Sequence, residues 1–208
     1  MATVSAALEQ RVVLNNVSWE TYEKLLEDLV DSSAPRLTFD RGTLEIMSPT
    51  FEHERFNRLL ASFVEEAAEE SDVEVENAGS TTFRRVDLDR GFEPDSCFYI
   101  SNAECVLGKR TVNLPHDPPP DLVIEIDITS LSVAKLPIYA RVGVPEVWRY
   151  DGDTLEIHKL ERGEYVRVEH SVSFPKLNAE SLSKLLEKSK NASRQEVIGA
   201  FREWLHTR

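Results

Sequence analysis

Two acidic segments contain the residues whose types and spacing could do chemistry. They are EPDSCFYI from Glu93 to Ile100 and DLVIEID from Asp121 to Asp127. Carboxylates on neighbouring strands can share a hard divalent cation through oxygen ligands. A lysine on a nearby helix could stabilise charge that develops on a phosphate. These residue types are the ones that a metal-dependent phosphodiesterase needs.

The second segment is typical of a buried strand. Because side chains in a strand alternate between faces, Glu125 and Asp127 point the same way, about 7 Å apart. The opposite face carries Leu122, Ile124, Ile126 and Ile128. The apolar run predicts a strand covered by helices on both sides. Buried carboxylates normally persist only when they are paired or bind a metal, so this pair indicates a site.

In the first segment, Asp95 follows Pro94 near the beginning of a predicted strand and shares a face with Cys97. Acidic residues at strand ends also cap turns, and spacing alone leaves both roles open for Asp95. Asp121 lies about 13 Å along the strand from Glu125, too far to share one ion. We therefore expect Asp121 to begin the strand.

Several motifs occur in a recognisable order. EPD at Glu93 is followed by PDLVIEI at Pro120, by Lys135 with Tyr139 four residues later, and by GVPEVW at Gly143. Upstream lie SWETYEKLL (18–26), RLTFDRGTLEIMSPT (36–50) and the Glu52–His53 pair. In this order the motifs resemble the Uma-two family, which is assigned to the endonucleases of the PD-(D/E)XK superfamily. The resemblance covers most of residues 18–187.

The resemblance implies an endonuclease that uses Mg²⁺ or Mn²⁺ to hydrolyse phosphodiester bonds of DNA. By position, Asp95 matches the first acidic ligand, Glu125 the second, and Lys135 the helix-borne lysine. In the commonest form of the superfamily the lysine lies two residues after the second acid, where this chain has Asp127. The long Lys135 side chain could return its ammonium from the helix. Its alternative is a solvated surface lysine.

Asp127 then has two interpretations. It could be a further metal or water ligand, or its charge could tighten cation binding while it repels a substrate phosphate. For Tyr139, one helical turn after Lys135, packing against the sheet is favoured over a role in the site.

A long helix is predicted from Glu52 to about Ser71. Its apolar stripe is Phe56, Leu59, Leu60, Phe63, Val64 and Ala67. Ser48 or Thr50 would be the N-cap, and Glu52 would favour the positive end of the helix dipole. Glu52 is also a candidate outer metal ligand. For His53, a packed or capping role is favoured over that of a proton carrier.

The remaining patterns predict a mixed α/β fold with a restriction-endonuclease-like central sheet flanked by helices, an N-terminal hairpin and extra terminal helices. Predicted helices are 18–30, 52–71 and 132–142, and predicted strands are 37–47 (a hairpin), 73–77, 81–85, 94–100, 121–128, 147–150, 154–160 and 164–168. Strand, helix and strand at 121–150 predict a parallel pair with a right-handed crossover. The predicted organisation is an N-terminal arm and short helix (1–34), a nuclease-like core (35–177) and a C-terminal helical extension (178–208).

Composition bounds the class of protein. No stretch of the 208 residues is apolar and long enough to cross a membrane, and two cysteines without a secretory signal favour the cytoplasm. Cys97 and Cys105 are expected to be packing residues. The net charge of −13 opposes tight binding to DNA unless basic residues cluster locally. The candidates for such a cluster are Arg84, Arg85, Lys109 and Arg110, with Lys184, Lys188, Lys190, Arg194, Arg202 and Arg208 in the tail.

A terminal apolar stripe comprises Val197, Ile198, Phe201, Trp204 and Leu205. It must be covered by its own domain or by a second copy, and a nuclease that cuts both strands commonly uses two-fold symmetry. A homodimer is therefore the predicted assembly. Two other classes of function stay open: a catalytically silent module that binds DNA or protein, and a hydrolase of RNA or small phosphoesters.

Overall fold

The structure, a computed structural model of this chain, describes residues 10–29, 34–128 and 134–207. The helices are α1 (Trp19–Asp28), α2 (Phe51–Ser71), α3 (Ala103–Val106), α4 (Lys135–Val142), α5 (Ala179–Ser189) and α6 (Arg194–His206). The strands are β1 (Gln10–Leu14), β2 (Arg36–Asp40), β3 (Thr43–Ser48), β4 (Glu76–Gly79), β5 (Phe83–Arg85), β6 (Arg90–Phe92), β7 (Ser96–Tyr99), β8 (Leu122–Ile126), β9 (Glu146–Tyr150), β10 (Leu155–Glu161) and β11 (Glu164–Val168). A short 3₁₀ turn at Val86–Leu88 separates β5 from β6.

Within these ranges the strands form two sheets. The larger has the order β11-β10-β9-β8-β7-β4, in which β8 and β9 are parallel and the other neighbours are antiparallel. The smaller has the order β1-β3-β2-β6-β5 and is antiparallel throughout. Helix α4 lies between the two parallel strands in sequence, as the crossover prediction requires. The mixed α/β fold with its N-terminal hairpin is confirmed.

Strand β8 is covered on both faces. Leu122, Ile124 and Ile126 belong to a hydrophobic cluster that includes residues of α2, α5 and α6. Val123 belongs to a second cluster, which includes Ile138 and Tyr139 of α4. The strand ends at Ile126, earlier than the predicted Ile128, because its last partner is Tyr150, where β9 also ends. Asp127 therefore follows the strand, although its N–H still donates to the carbonyl of Tyr150 at 2.7 Å.

Helix α2 begins at Phe51, one residue before the predicted start, and ends at Ser71 as predicted. The side chain of Thr50 accepts a hydrogen bond from the N–H of His53 at 3.2 Å, so Thr50 is the N-cap and Ser48 ends β3. All six residues of the predicted apolar stripe are buried. The left-handed backbone of Asp72, with φ at +52°, ends the helix.

The terminal apolar stripe packs on its own domain. Val197, Ile198, Phe201 and Leu205 are buried in the cluster that contains α2 and β8, and the rings of Phe63 and Phe201 lie 4.4 Å apart. The two C-terminal helices thus share the core of the predicted 35–177 domain. A second copy is not needed to cover this stripe, and the homodimer stays a prediction.

Three local predictions differ from the structure. Strands β1 and β6 were not predicted, and β4 begins at Glu76 instead of Val73. The predicted ends of two helices, Val30 and Ser132, lie outside the described residues. Cys97 is a buried packing residue, as predicted, but the same prediction is wrong for Cys105, which is exposed. In the described part of the chain, no helix has the length and apolar character that a membrane span requires.

A close contact at Gly91 gives a stability prediction. A Cβ at Gly91 would lie 2.2 Å from the hydroxyl of Tyr22, which is fully buried and stacked on Phe39. We expect Gly91→Ala to lower the free energy of unfolding by about 1–3 kcal/mol, because the tyrosine must shift. Gly199→Ala is the matched control: its Cβ meets nothing within 4 Å inside α6, and we expect a gain of up to about 1 kcal/mol. Urea unfolding measures both changes; equal effects would contradict the steric argument.

Candidate active site

Asp95 and Glu125 lie side by side. Strands β7 and β8 pair Ser96 with Ile124 in antiparallel register. Continued by one residue, this register sets Asp95 opposite Glu125, with Cβ atoms about 5 Å apart. The N–H of Ile126 donates to Oδ2 of Asp95 at 2.7 Å and fixes the approach. The backbone positions of two candidate ligands that are 30 positions apart in sequence are therefore neighbours on adjacent strands.

The carboxylate of Asp95 is fully enclosed by protein groups. Arg36, the first residue of β2, donates to Oδ1, and Nε2 of His53 lies 3.2 Å from Oδ2. Asn57 of α2 donates to the main-chain oxygen of Asp95 at 3.0 Å and accepts from the hydroxyl of Ser96 at 2.8 Å. The hairpin and α2 thus hold the aspartate from two sides.

Glu125 is held from the opposite side by α4. The ammonium of Lys135 lies 2.6 Å from Oε2, and the hydroxyl of Tyr139 donates to Oε1. Both donors sit on one face of the helix because they are four residues apart. Burial raises the pKa of Glu125, and the lysine charge opposes that rise. Burial and the glutamate charge also raise the pKa of Tyr139 well above its usual range, so its hydroxyl keeps its proton.

The side chains of Lys135 and Tyr139 therefore both contact Glu125 in the candidate site. The lysine side chain is only 10% exposed, unlike a solvated helix lysine. The tyrosine also packs as predicted, with its ring 5.1 Å from that of Phe92 in an edge-on arrangement.

Asp127 contacts a different cation. Nε of Arg149 donates to its Oδ2 at 2.7 Å, and a guanidinium nitrogen of Arg11 lies 4.0 Å from Oδ1. Arg149 is the residue of β9 paired with Glu125 in the parallel register. The charge that replaces the usual lysine in this chain is thus offset by an arginine from the next strand.

Of the two acids flanking His53, the structure connects only Glu54 to Asp95. Glu52 is exposed on the first turn of α2. The Glu54 carboxylate pairs with Arg36, the same arginine that contacts Asp95, and lies 3.8 Å from Arg58. No sequence pattern distinguishes Glu54 from Glu52, because the contact of Glu54 depends on where the hairpin places Arg36.

His53 is a neutral, buried histidine. Burial first, and then the charges of Arg36, Lys135 and Arg11, lower its pKa to about 3. Its side chain is 1% exposed. A histidine with such a pKa does not exchange protons near neutral pH, which agrees with a packing role.

Acid should therefore destabilise the protein through His53. The folded state keeps the pKa near 3, whereas the unfolded chain has the ordinary value of 6.5, so stability is lost as the pH falls below about 6.5. In metal-free buffer, the stability difference between the wild type and His53→Gln should shrink by about 2 kcal/mol between pH 7 and pH 5. Urea unfolding measures this, with exposed His206→Gln as the control. A pH-independent difference would contradict the shifted pKa.

The chemistry of the donor set fits a magnesium ion. Mg²⁺ is commonly held by one or two carboxylates, with water and phosphate oxygens as its other ligands. Asp95 and Glu125 would provide two hard oxygen ligands. Among the described residues, no group of three or more His, Cys, Asp or Glu side chains could hold a metal ion. The remaining ligands would therefore be water, backbone or substrate oxygens.

Sequence reasoning missed Arg36 and Arg149, as well as Glu54 and Asn57. Arg149 directly follows the GVPEVW motif and lies in the predicted strand 147–150. The predicted parallel pairing of this strand with β8 therefore indicated a residue near Glu125. No sequence pattern indicated Arg36, because its contact with Asp95 joins residues 59 positions apart.

Comparisons with known proteins identify the fold and the family. A crystal structure of a putative nuclease belonging to DUF820, from Anabaena variabilis ATCC 29413, matches with a TM-score of 0.54 and 14% sequence identity, over 86% of this chain and 98% of that chain. At this identity the likeness shows the fold alone. No curated protein matches the sequence. The family model described as "Uma2: Putative restriction endonuclease" matches residues 19–189. The chain therefore belongs to the Uma2 family of putative restriction endonucleases.

Proposed function

We propose that the protein is a divalent-metal-dependent endonuclease that hydrolyses phosphodiester bonds of DNA. One observation supports the proposal: the register of β7 and β8 places Asp95 opposite Glu125, the N–H of Ile126 donates to Asp95, and the Lys135 ammonium lies 2.6 Å from the glutamate. Two acids and a lysine at one buried place are expensive to maintain without a function.

In this proposal Asp95 and Glu125 hold Mg²⁺ or Mn²⁺. When bound, the ion would polarise a phosphoryl oxygen and lower the pKa of an attacking water. Lys135 positions that water or neutralises charge on the phosphate in the transition state. Tyr139 keeps its proton and orients Glu125 through the hydrogen bond to Oε1.

Asp127 is proposed to position Arg149 beside Glu125. Because Arg149 offsets its charge, Asp127 need not repel a substrate phosphate. We also propose Asp127 as a further ligand to the metal ion or to its water. Glu52 is proposed only as an outer ligand reached through water, since it is exposed and Glu54 has the contact with Arg36.

We also propose a cytoplasmic homodimer. Both cysteines are free thiols, which suits a reducing compartment. Two-fold symmetry would place one site on each strand of a duplex. Light scattering that shows a monomer at micromolar concentration would contradict the dimer and leave the active-site proposal untouched.

The test is calorimetric titration of Mn²⁺ and Mg²⁺ into the wild type, Asp95→Asn and Glu125→Gln, with each sample also assayed on plasmid and on single-stranded DNA. We expect metal binding and cleavage in the wild type and loss of cleavage in both variants. Asp87→Asn is the matched control, because Asp87 is an exposed carboxylate paired with Arg85. It should cleave like the wild type.

Each other outcome has a definite meaning. Metal binding without cleavage of any DNA would favour a hydrolase of RNA or small phosphoesters, which competition by nucleotides would reveal. Absence of metal binding in every sample would reject the metal site and favour a catalytically silent binding module.

A further inference from the structure

Phe51 is unusually exposed for an aromatic residue. Its side chain is 86% exposed, more than any other large hydrophobic residue in the described ranges. It is the first residue of α2, the helix that also contributes His53 and Asn57 to the surroundings of Asp95. A phenylalanine left in water forgoes the favourable free energy of burying its ring. An exposed aromatic ring beside the candidate active site is therefore a candidate contact for a bound molecule.

Arginines lie on the same side of α2 as this ring and border the same depression. At 3.6 residues per turn, positions 51, 55, 58 and 62 of α2 lie within about 60° of one another around the helix axis. Phe51, Arg55 and Arg58 thus share one face, and Ser62 continues it by accepting a hydrogen bond from Arg194 of α6 at 2.9 Å. A depression of about 280 Å³ is bordered by Phe51, Leu59 and the three arginines. We call these four residues, Phe51, Arg55, Arg58 and Arg194, the Phe51 face.

The charge of the Phe51 face is opposite to that of the whole protein. The net charge of the chain is −13, yet this face has three arginines, and only Arg58 has a carboxylate within 4.0 Å among the described residues, namely Glu54 at 3.8 Å. No ion pair within 4.0 Å involves Arg55 or Arg194 among the residues that the structure describes. Elsewhere most of the described cations predicted to form a basic patch are paired: Arg84 with Glu23, Arg85 with Asp87, Lys109 with Asp117, Lys184 with Glu180, Lys190 with Glu187 and Arg202 with Glu66. Within the described ranges, Arg110 and Lys188 have no ion pair within 4.0 Å, and neither borders the depression at Phe51.

The Phe51 face is connected to the carboxylates. Glu54 pairs with Arg36 through one oxygen and approaches Arg58 with the other, and Arg36 contacts Asp95. The distance along α2 from Phe51 to Arg58 is about 10 Å at 1.5 Å per residue. A strand lying on this face would lead toward Asp95.

We propose that the Phe51 face binds an unpaired stretch of the DNA strand next to the phosphodiester that is cut. The ring of Phe51 stacks on a base, and Arg55, Arg58 and Arg194 bind the adjoining phosphates. This inference rests on the proposed function and deepens it by assigning a single-stranded substrate segment to the site. Aromatic stacking accepts every base, so the face contributes affinity without sequence preference.

A second copy of the chain fits this face less well. A two-fold contact joins the same patch on both copies, so it would bring the arginines of one protomer against those of its partner. Nucleic acid instead offers alternating phosphates and bases, which match arginines beside an aromatic ring.

The experiment is fluorescence anisotropy of a labelled single-stranded oligonucleotide and of its duplex, in EDTA so that binding is measured without cleavage. Phe51→Ala should weaken single-strand binding by about 5- to 150-fold. Arg58→Ala should weaken it and lower the salt dependence of log Kd by about one unit of slope. Leu107→Ala, which alters another exposed large side chain, and Arg41→Ala, which removes an exposed arginine beside Asp40, are the matched controls. Neither should change binding.

Binding and cleavage separate this inference from the proposed function. Metal-dependent cleavage with unchanged single-strand binding in Phe51→Ala would overturn the inference and leave the function intact. If Phe51→Ala loses single-strand binding and the wild type does not cut DNA, the result would support DNA binding by the Phe51 face. It would also reject the endonuclease function. If Phe51→Ala instead converted a dimer to a monomer in light scattering without affecting DNA binding, the face would be an interface between copies and the inference would be wrong.

Discussion

Glu125→Gln is expected to lower the rate of divalent-dependent DNA cleavage by about 10³-fold or more. The amide keeps the shape of the side chain but removes the charge that would hold the metal ion. A metal ion supplies several kcal/mol of transition-state stabilisation, and a loss of about 4 kcal/mol corresponds to that factor. Single-turnover cleavage of a labelled substrate at saturating metal measures the change.

The same substitution should also destabilise the protein. It leaves the Lys135 ammonium in a largely buried position without its carboxylate, which costs about 3–5 kcal/mol when one partner of a buried pair is removed. The double variant Glu125→Gln, Lys135→Met should recover most of this loss, since an apolar side chain of similar length replaces the charge. Urea unfolding in EDTA provides the comparison.

The double variant separates chemistry from folding. It should be nearly as stable as the wild type and still inactive, because both the metal ligand and the cation are missing. Lys135→Met alone should be destabilised less than Glu125→Gln, because the raised pKa of the buried glutamate lets it take up a proton. Cleavage by the double variant would contradict the assigned roles. A double variant as unstable as Glu125→Gln would show that the two side chains are not coupled.

Local periodicity was enough to predict the part of the site that lies around β8. The alternation from Leu122 to Ile126 predicted the face of the strand on which Glu125 lies. The order strand, helix, strand predicted the parallel pairing of β8 with β9. The helix stop at Gly143, with φ at +92°, fixed the end of α4. Lys135 and Glu125 are only ten positions apart, so their contact follows from this one unit.

The smaller sheet could not be predicted in the same way. Its strand β6 has three residues, too few to show a period, and it pairs with β2 about 50 positions earlier in the chain. Strand β1 is largely exposed and therefore lacks the alternation of a half-buried strand. Because Arg36 stands on β2, its contact with Asp95 depends on this long-range pairing. The hairpin was predicted, but its role as the cover of the site was not.

Arg36 leads to the second prediction of large effect. Its side chain is 9% exposed and pairs with both Asp95 and Glu54. In metal-free buffer, Arg36→Met should lower the free energy of unfolding by about 3–5 kcal/mol, because it leaves buried Asp95 without its cation. Arg41→Met is the matched control: that arginine is 67% exposed beside Asp40, and its loss should change stability by no more than about 0.5 kcal/mol.

Metal should offset part of this loss, because in the proposed site Arg36 and a divalent ion would be alternative partners for the Asp95 carboxylate. Without the guanidinium the ion meets no competing positive charge, so we expect the Kd for Mn²⁺ of Arg36→Met to fall by at least about tenfold. Saturating Mn²⁺ at 100 times Kd would then stabilise the variant by about 2.7 kcal/mol. Calorimetric titration and urea unfolding at matched Mn²⁺ concentrations test both statements. Weaker Mn²⁺ binding by Arg36→Met would show instead that Arg36 holds Asp95 in the geometry that the ion requires, and the two would then act together on the carboxylate.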